Sequence, residues 1–450
     1  MPFPLTRELA GVVSGIVAQS VPQAVMGRAT AAFMDTIGVM IAGCGEPAVR
    51  QILSTLASIG SGPPDILDLA LIGGTAAHAL DFDDVAFGGH VSAVVVPAIL
   101  AVAQTQPVSG RDMLLAYVAA YETWTELASR ETTMYHARGL HPTGLLGPIA
   151  AAAAASVLLR LDAKITAHAL ANAASQGAGL LANFGSMTKP FHAGRAAQSG
   201  VLAAYLAQGG YTGAGDALEG ATGFLSSFSP AGDVNIDRAL NHADGDWMLG
   251  KIAPSVKRFP VCYAGHRAID AMLALRPTAG ELERLKAIEV SLSSRHSKTL
   301  RYTAPVSVNE ARFSLEFFMA AAAVRGWVGL GELTPGLLAD PEISRTMGIV
   351  IRKDALELDP AIDGWAAADQ VTLVYQDGRR VAGDPVRRPR GHADNPVTAS
   401  DVREKFTDCL RIAGRETEIE VITNAVLTLD SQAAVPASLS ASVLLGLAGS

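Results

Sequence analysis

The stretch SMTKPFHAGRAAQSG, Ser186–Gly200, sets a lysine, a histidine and an arginine at the mouth of an alanine-rich apolar segment. Ala193 to Leu206 reads as a helix with its apolar residues inward. Lys189 precedes Pro190, and a residue before proline is pushed away from helical geometry, so Lys189 and His192 are expected on a bend ahead of the first turn. Unpaired N–H groups at a helix start attract anions, so the stretch predicts a carboxylate or phosphate site within a helical fold.

Outward from it, the pattern stays helical from the start of the chain to about Pro254. Ser109 and Asp112 form a capping-box signal ahead of Met113 to Leu127, and Ile165 to Ala174 is a second clear helix. Between about Val256 and Asn395 the texture changes. Ile288, Val290 and Leu292 alternate with polar residues, and Val371, Leu373 and Tyr375 alternate ahead of the turn signal Asp377-Gly378. Helical periodicity returns in Asp401 to Leu410 and Ile419 to Leu429. The expected fold is mainly α with an inserted α/β domain. Residues 1–255 and 397–450 would form one all-helical domain, and residues 256–396 the smaller α/β domain.

The 450 residues are 49% hydrophobic and only 17% charged, which suits close-packed helices and a subunit interface. The apolar run Gly144 to Leu159 contains Pro148, is closed by Arg160 and falls short of a membrane span. No signal-peptide pattern follows Arg7, so the cytoplasm is the expected compartment. Cys44, Cys262 and Cys409 lie too far apart for the usual iron–sulfur or structural-zinc runs, and a disulfide scaffold is not expected either. A formal charge of −8 and the lack of a basic stripe argue against nucleic acid as a partner. Arg387, Arg388 and Arg390, with prolines interleaved, read as a solvated loop.

Four further polar clusters could carry chemistry. HALDFDD, His78–Asp84, packs three carboxylates together, which repel unless a cation, hydrogen-bond donors or a raised pKa relieves them. A magnesium site, a terpene-cyclase-like DxDD acid, and helix-capping aspartates paired with arginines all remain open readings. YHARGLHPTG, Tyr135–Gly144, places His141 before Pro142, again at a bend that opens a helix. KRFPVCYAGHRAID, Lys257–Asp270, puts His266 near a helix start. RYTAPVSVNEARFS, Arg301–Ser314, carries Tyr302 in an extended segment. Gly177, Gly179 and Ala182 match a dinucleotide fingerprint, but helical sequence precedes them where a strand is required, so NAD is rejected.

Together with the opening stretch, these blocks resemble the MmgE/PrpD family, which includes 2-methylcitrate dehydratases, cis-aconitate decarboxylases and an iminodisuccinate epimerase. The carrying segments are GGTAAHALDFDD, GLHPTGLLGPIAAAAAA, GSMTKPFHAGRAAQSGVLAAYLA, KRFPVCYAGHRAIDA and PVSVNEARFS. The resemblance implies a homodimer of subunits with a helical domain and an α/β lid, and a pocket that uses neither metal nor organic cofactor. Asp81, His90, His141, Lys189, His266 and Tyr302 fall at the family's active-site positions. Tyr135 stands where an epimerase-like branch would use a tyrosine for proton transfer.

The implied chemistry removes a proton next to a carboxylate of a small di- or tricarboxylic acid, with the developing enediolate stabilised by fixed positive charge. Lys189, His90 and His266 suit substrate binding and charge stabilisation. His141 is the first candidate for general base or acid. Asp81 would orient a histidine, Tyr302 or Tyr135 would donate a proton on the opposite face, and His192 and Arg195 take scaffold or rim roles. The simplest activity is a 2-methylcitrate dehydratase-like hydro-lyase; an epimerase of an iminodisuccinate-like amino-diacid follows, then a cis-aconitate-type decarboxylase, and last a non-catalytic carboxylate-binding protein. Two departures bear on the substrate: Val85 stands where dehydratases and decarboxylases often have threonine, and the loop to His90 is a residue shorter than in the decarboxylases. Both weaken methylcitrate or cis-aconitate itself as the substrate.

Overall fold

The computed structural model describes residues 3–60, 62–241, 245–355, 357–360, 362 and 364–447. The chain is mostly helical, with one small mixed sheet. It divides into two compact units: Met1–Asn183, Met187–Val256 and Thr398–Ser450 form the first, and Phe184–Ser186 with Lys257–Val397 the second. The tripeptide Phe184–Ser186, read from the sequence as part of the helical domain, thus clusters with the second unit.

In the first unit the helices are α1 (Leu5–Gly15), α2 (Gln23–Gly43), α3 (Pro47–Ile59), α4 (Ile66–Ala79), α5 (Val91–Ala103), α6 (Gly110–Ala128), α7 (Pro142–Leu158), α8 (Ala163–Ala174) and α9 (Thr188–Gln208). Ser109 and Asp112 close a full capping box on α6. Every residue of α7 is buried, and its alanine run lets α5, α6 and α9 pack closely around it. Close approach explains two glycines of α9. A Cβ on Gly194 would collide with Leu71 O and Thr75 Oγ1 of α4, and one on Gly200 with Ala151 Cβ and Pro148 O of α7. These tight crossings bring the C-terminal end of α4 and the first turns of α7 and α9 to one place.

α2 is the one helix among the described residues long and apolar enough to cross a membrane, whereas α7, which holds most of the run Gly144 to Leu159, is too short. Within the protein, 72% of its most apolar window is buried, and it packs against α4 and the helix Ala399–Ile412.

The second unit holds the sheet, ordered β2-β1-β3-β4, with β1 Leu285–Leu292, β2 Val350–Asp354, β3 Gln370–Tyr375 and β4 Arg380–Ala382. β1 runs parallel to β2 and antiparallel to β3, placing Ile288 opposite Leu373 and Val290 opposite Val371. These four side chains are buried, as the alternation requires. β3 and β4 join through Asp377-Gly378, where Gly378 takes φ 87°.

Candidate active site

Three helix starts and one helix end build a buried polar cluster in the first unit. His90 is the N-cap residue of α5 and His141 that of α7, with Pro142 as the first helical residue, where its missing N–H costs nothing. Lys189 lies inside the first turn of α9, not on a bend before it. Pro190 tolerates this because first-turn N–H groups have no intrahelical partner. The end of α4 supplies His78, and the loop after it supplies Asp81, whose backbone is left-handed at φ 51°. Thr143 Oγ1 accepts from His90 N at 3.1 Å and so ties the starts of α5 and α7 together.

Lys189 is 3% exposed, and its Nζ donates to Asp81 Oδ1 and to His78 Nε2, each at 3.0 Å. An ammonium only donates, so Nε2 of His78 carries the lone pair and its Nδ1 carries the proton. That Nδ1–H faces Asp83, 3.0 Å from both carboxylate oxygens. His90 Nδ1 lies 2.8 Å from Asp83 Oδ2, and His90 Nε2 is 4.0 Å from Asp81 Oδ1. Burial alone would push Asp83 up, but the two histidines outweigh it and hold the carboxyl well below its usual range. Burial lowers His78 to about 3, with Lys189 adding to the effect against Asp83. His78 is therefore a neutral relay between an ammonium and a carboxylate.

His141 rests beside this network, its ring centroid 5.8 Å from that of His78 and 6.1 Å from that of His90. Its pKa falls well below 6.5, first through burial and then through Lys189, His78, His90 and His192. The ring is neutral at pH 7, free of the charge that would prevent it from taking a proton. His192, read from the sequence as scaffold or rim, is instead a direct partner: the two Nδ1 atoms are 3.1 Å apart.

The remaining acidic residue of the loop behaves differently. Asp84 is fully buried and accepts from Ser92 Oγ at 2.5 Å, and Ser92 in turn meets Tyr117 OH at 2.8 Å. Burial and the nearby Asp35 carboxylate raise Asp84 to about 8, so it is protonated at neutrality. Among the described residues neither Asp83 nor Asp84 caps a helix or pairs with an arginine, against that reading.

Two overlapping sets could ligate a metal: His78, His90 and His141, and His78, Asp81, Asp83 and His90 each offer ligand atoms within 4.8 Å of one another. Lys189 Nζ already sits within hydrogen-bond distance of two of them. It supplies there the positive charge a cation would bring.

The structure thus gathers Asp81, His90, His141 and Lys189, and adds His78, Asp83 and His192. Tyr135 opens a short turn, Tyr135–Arg138, in the same unit. Its hydroxyl is buried with no hydrogen-bond partner among the described residues, and burial, then Glu131, raises its pKa. His266 and Tyr302 belong to the second unit. His266 starts the helix His266–Leu275 and its Nε2 lies 3.2 Å from Val261 O. Tyr302 donates to Phe184 O at 3.1 Å and accepts from Arg301 Nη2 at 2.7 Å.

A helical enzyme with a buried lysine–carboxylate–histidine cluster at converging helix starts is the class that this geometry defines. The MmgE/PrpD N-terminal domain matches residues 7–237 and the MmgE/PrpD C-terminal domain residues 259–431, and the chain belongs to the MmgE/PrpD family. It is similar to the cis-aconitate decarboxylase of Mus musculus, 26% identical over 446 residues that cover 93% of this chain and 89% of that protein. The Homo sapiens cis-aconitate decarboxylase is 28% identical over 432 residues, covering 89% and 87%. That of Aspergillus terreus is 23% identical over 465 residues, covering 95% and 93%. The protein is an enzyme of the lyase type.

Proposed function

We propose that this lyase removes a proton next to a carboxylate of a small di- or tricarboxylic acid and then expels a leaving group, most simply water from a hydroxy polycarboxylate. The observation that carries the reading is the Lys189 ammonium, buried between Asp81 and His78, beside a His141 kept neutral. A substrate carboxylate is drawn to that ammonium. As His141 takes the proton, negative charge grows on the carboxylate oxygens, where fixed positive charge stabilises it most. Carbon–hydrogen electrons then form the double bond as the hydroxyl departs as water, its second proton drawn from solvent and matched by the one His141 later releases.

Decarboxylation is the second reading, favoured by the names and near full-length coverage of the similar decarboxylases. Carbon dioxide would then leave with the bonding electrons kept on carbon, and a proton drawn from solvent would complete that carbon. The buried hydroxyl of Tyr135, with no hydrogen-bond partner among the described residues, supports the epimerase reading, in which two groups serve opposite faces. Val85 in place of a hydroxyl-bearing residue still weighs against methylcitrate and cis-aconitate themselves. The reading carries with it a cytoplasmic homodimer that takes a small carboxylic acid and needs no cofactor.

The test is proton NMR of the enzyme in deuterated, EDTA-treated buffer with citrate-like hydroxy acids, cis-aconitate and iminodiacids. Elimination creates an olefinic signal, decarboxylation removes a carbon, and epimerisation installs deuterium with inversion. Absence of change with every acid would sink the lyase reading and leave a carboxylate-binding protein.

A further inference from the structure

Two imidazole nitrogens 3.1 Å apart can share one proton and no more: with none the lone pairs repel, and with two the N–H groups clash. The Nδ1 atoms of His141 and His192 stand at that distance, in residues that are 1% and 8% exposed. Both rings are neutral, since burial with the neighbouring Lys189 and His78 lowers His192 to about 4 and holds His141 low as well. One ring must therefore be the Nδ1–H tautomer and the other the Nε2–H tautomer.

We propose that His192 is the positioning residue of His141: its Nδ1 accepts the Nδ1–H of His141 and so keeps the lone pair of His141 on Nε2, ready for the substrate proton. The proposal rests on the reading of His141 as proton acceptor. The opposite sharing would put hydrogen on Nε2 and turn His141 into a donor.

The architecture makes the pairing a built feature. Lys189 and His192 are three residues apart on α9, so one helix face delivers both the charge partner and the orienting ring. Gly179 O accepts from His141 N at 3.1 Å, and a Cβ at Gly179 would come within 3.3 Å of both His141 Cβ and His192 Nδ1. Gly179 thus holds the backbone of His141 and packs against the ring of His192. Orientation by an imidazole instead of a carboxylate has a chemical consequence. It sets the tautomer without adding a negative charge that would repel an anionic substrate or raise the basicity of His141.

The test uses full-length protein labelled with 15N-histidine, His192→Phe and His192→Asn. Phenylalanine fills the ring space without an acceptor; the asparagine amide oxygen restores one. Long-range proton–nitrogen correlation spectra should show His141 of the unmutated protein protonated at Nδ1, shifted toward Nε2 protonation in His192→Phe and restored in His192→Asn. With the acid found to turn over, His192→Phe should lose roughly 100-fold in kcat with little change in KM, a loss in the range of one acid–base contribution, and His192→Asn should recover most of it. An Nε2–H tautomer of His141 in the unmutated protein overturns the proposal, as does an unchanged kcat in a His192→Phe protein that melts normally. If no acid turns over, the spectra still decide the tautomer, while the silence counts only against the lyase reading.

Discussion

Asp83 and Asp84 are neighbours in sequence and opposites in chemistry. Asp83 faces two ring N–H groups and stays ionised; Asp84 faces Ser92 and the Asp35 carboxylate and stays protonated. Both are fully buried, so burial does not separate them. Donor count does: a carboxylate persists inside a protein where donors meet its oxygens, and otherwise takes up a proton. The loop therefore presents charge toward Lys189 and His90 and a neutral acid toward the packed helices behind.

The largest effect is expected from removing the charge that this loop supports. Lys189→Met should lower kcat/KM by roughly a thousand-fold, the upper range for one stabilising donor, measured on protein whose melting curve shows it folded. Asp83→Asn should follow at about 100-fold, because a neutral amide no longer holds His78 and His90 in their tautomers. Asp84→Asn should leave kcat/KM within about three-fold, the range of a change with no altered charge at the site. Equal losses in the two aspartate variants would erase the contrast between them.

Behind the loop, Lys405 pairs with Asp35 at 2.6 Å, donates to Phe82 O at 2.6 Å and lies over the Phe82 ring. Lys405→Met should destabilise the protein by about 3–5 kcal/mol, the cost of stranding a buried charge, and Asp35→Asn in the same chain should recover part of it. Urea unfolding of the single and double variants reads both.

pH sharpens the comparison most gently. His78 and His192 titrate near 3 and 4 in the folded protein but near 6.5 when unfolded, so the unfolded chain binds more protons between those values. Stability should therefore decline as pH falls below about 6.5, and more shallowly in His192→Asn. Asp84 works in the other direction. Its folded value near 8 makes stability fall as pH rises from about 4 to 8, a slope that Asp84→Asn should remove.

Much of this site was legible in the amino-acid sequence. Prolines after His141 and Lys189 mark helix starts, and the apolar surroundings make each polar residue conspicuous. Lys189 lies a few residues further into its helix than Pro190 suggests, because the rule for residues before proline weakens in a helix's first turn. His192 was within reach, three residues after Lys189 on one helix face. His78 was harder, since it lies near the end of an apolar helix and gains its meaning only when the loop folds Asp83 back onto it. Lys405 left no signal. Its partners lie more than three hundred residues away, joined only by packing of the helix Ala399–Ile412 on α2.

The role of Lys189 as carboxylate partner is tested most directly by calorimetric titration with tricarballylate, a saturated tricarboxylate with no hydroxyl to lose. The unmutated protein should bind it, and folded Lys189→Met should bind at least about 30-fold more weakly, the loss of one charged hydrogen bond. Equal affinity in the two proteins would contradict the assignment of the substrate carboxylate to Lys189.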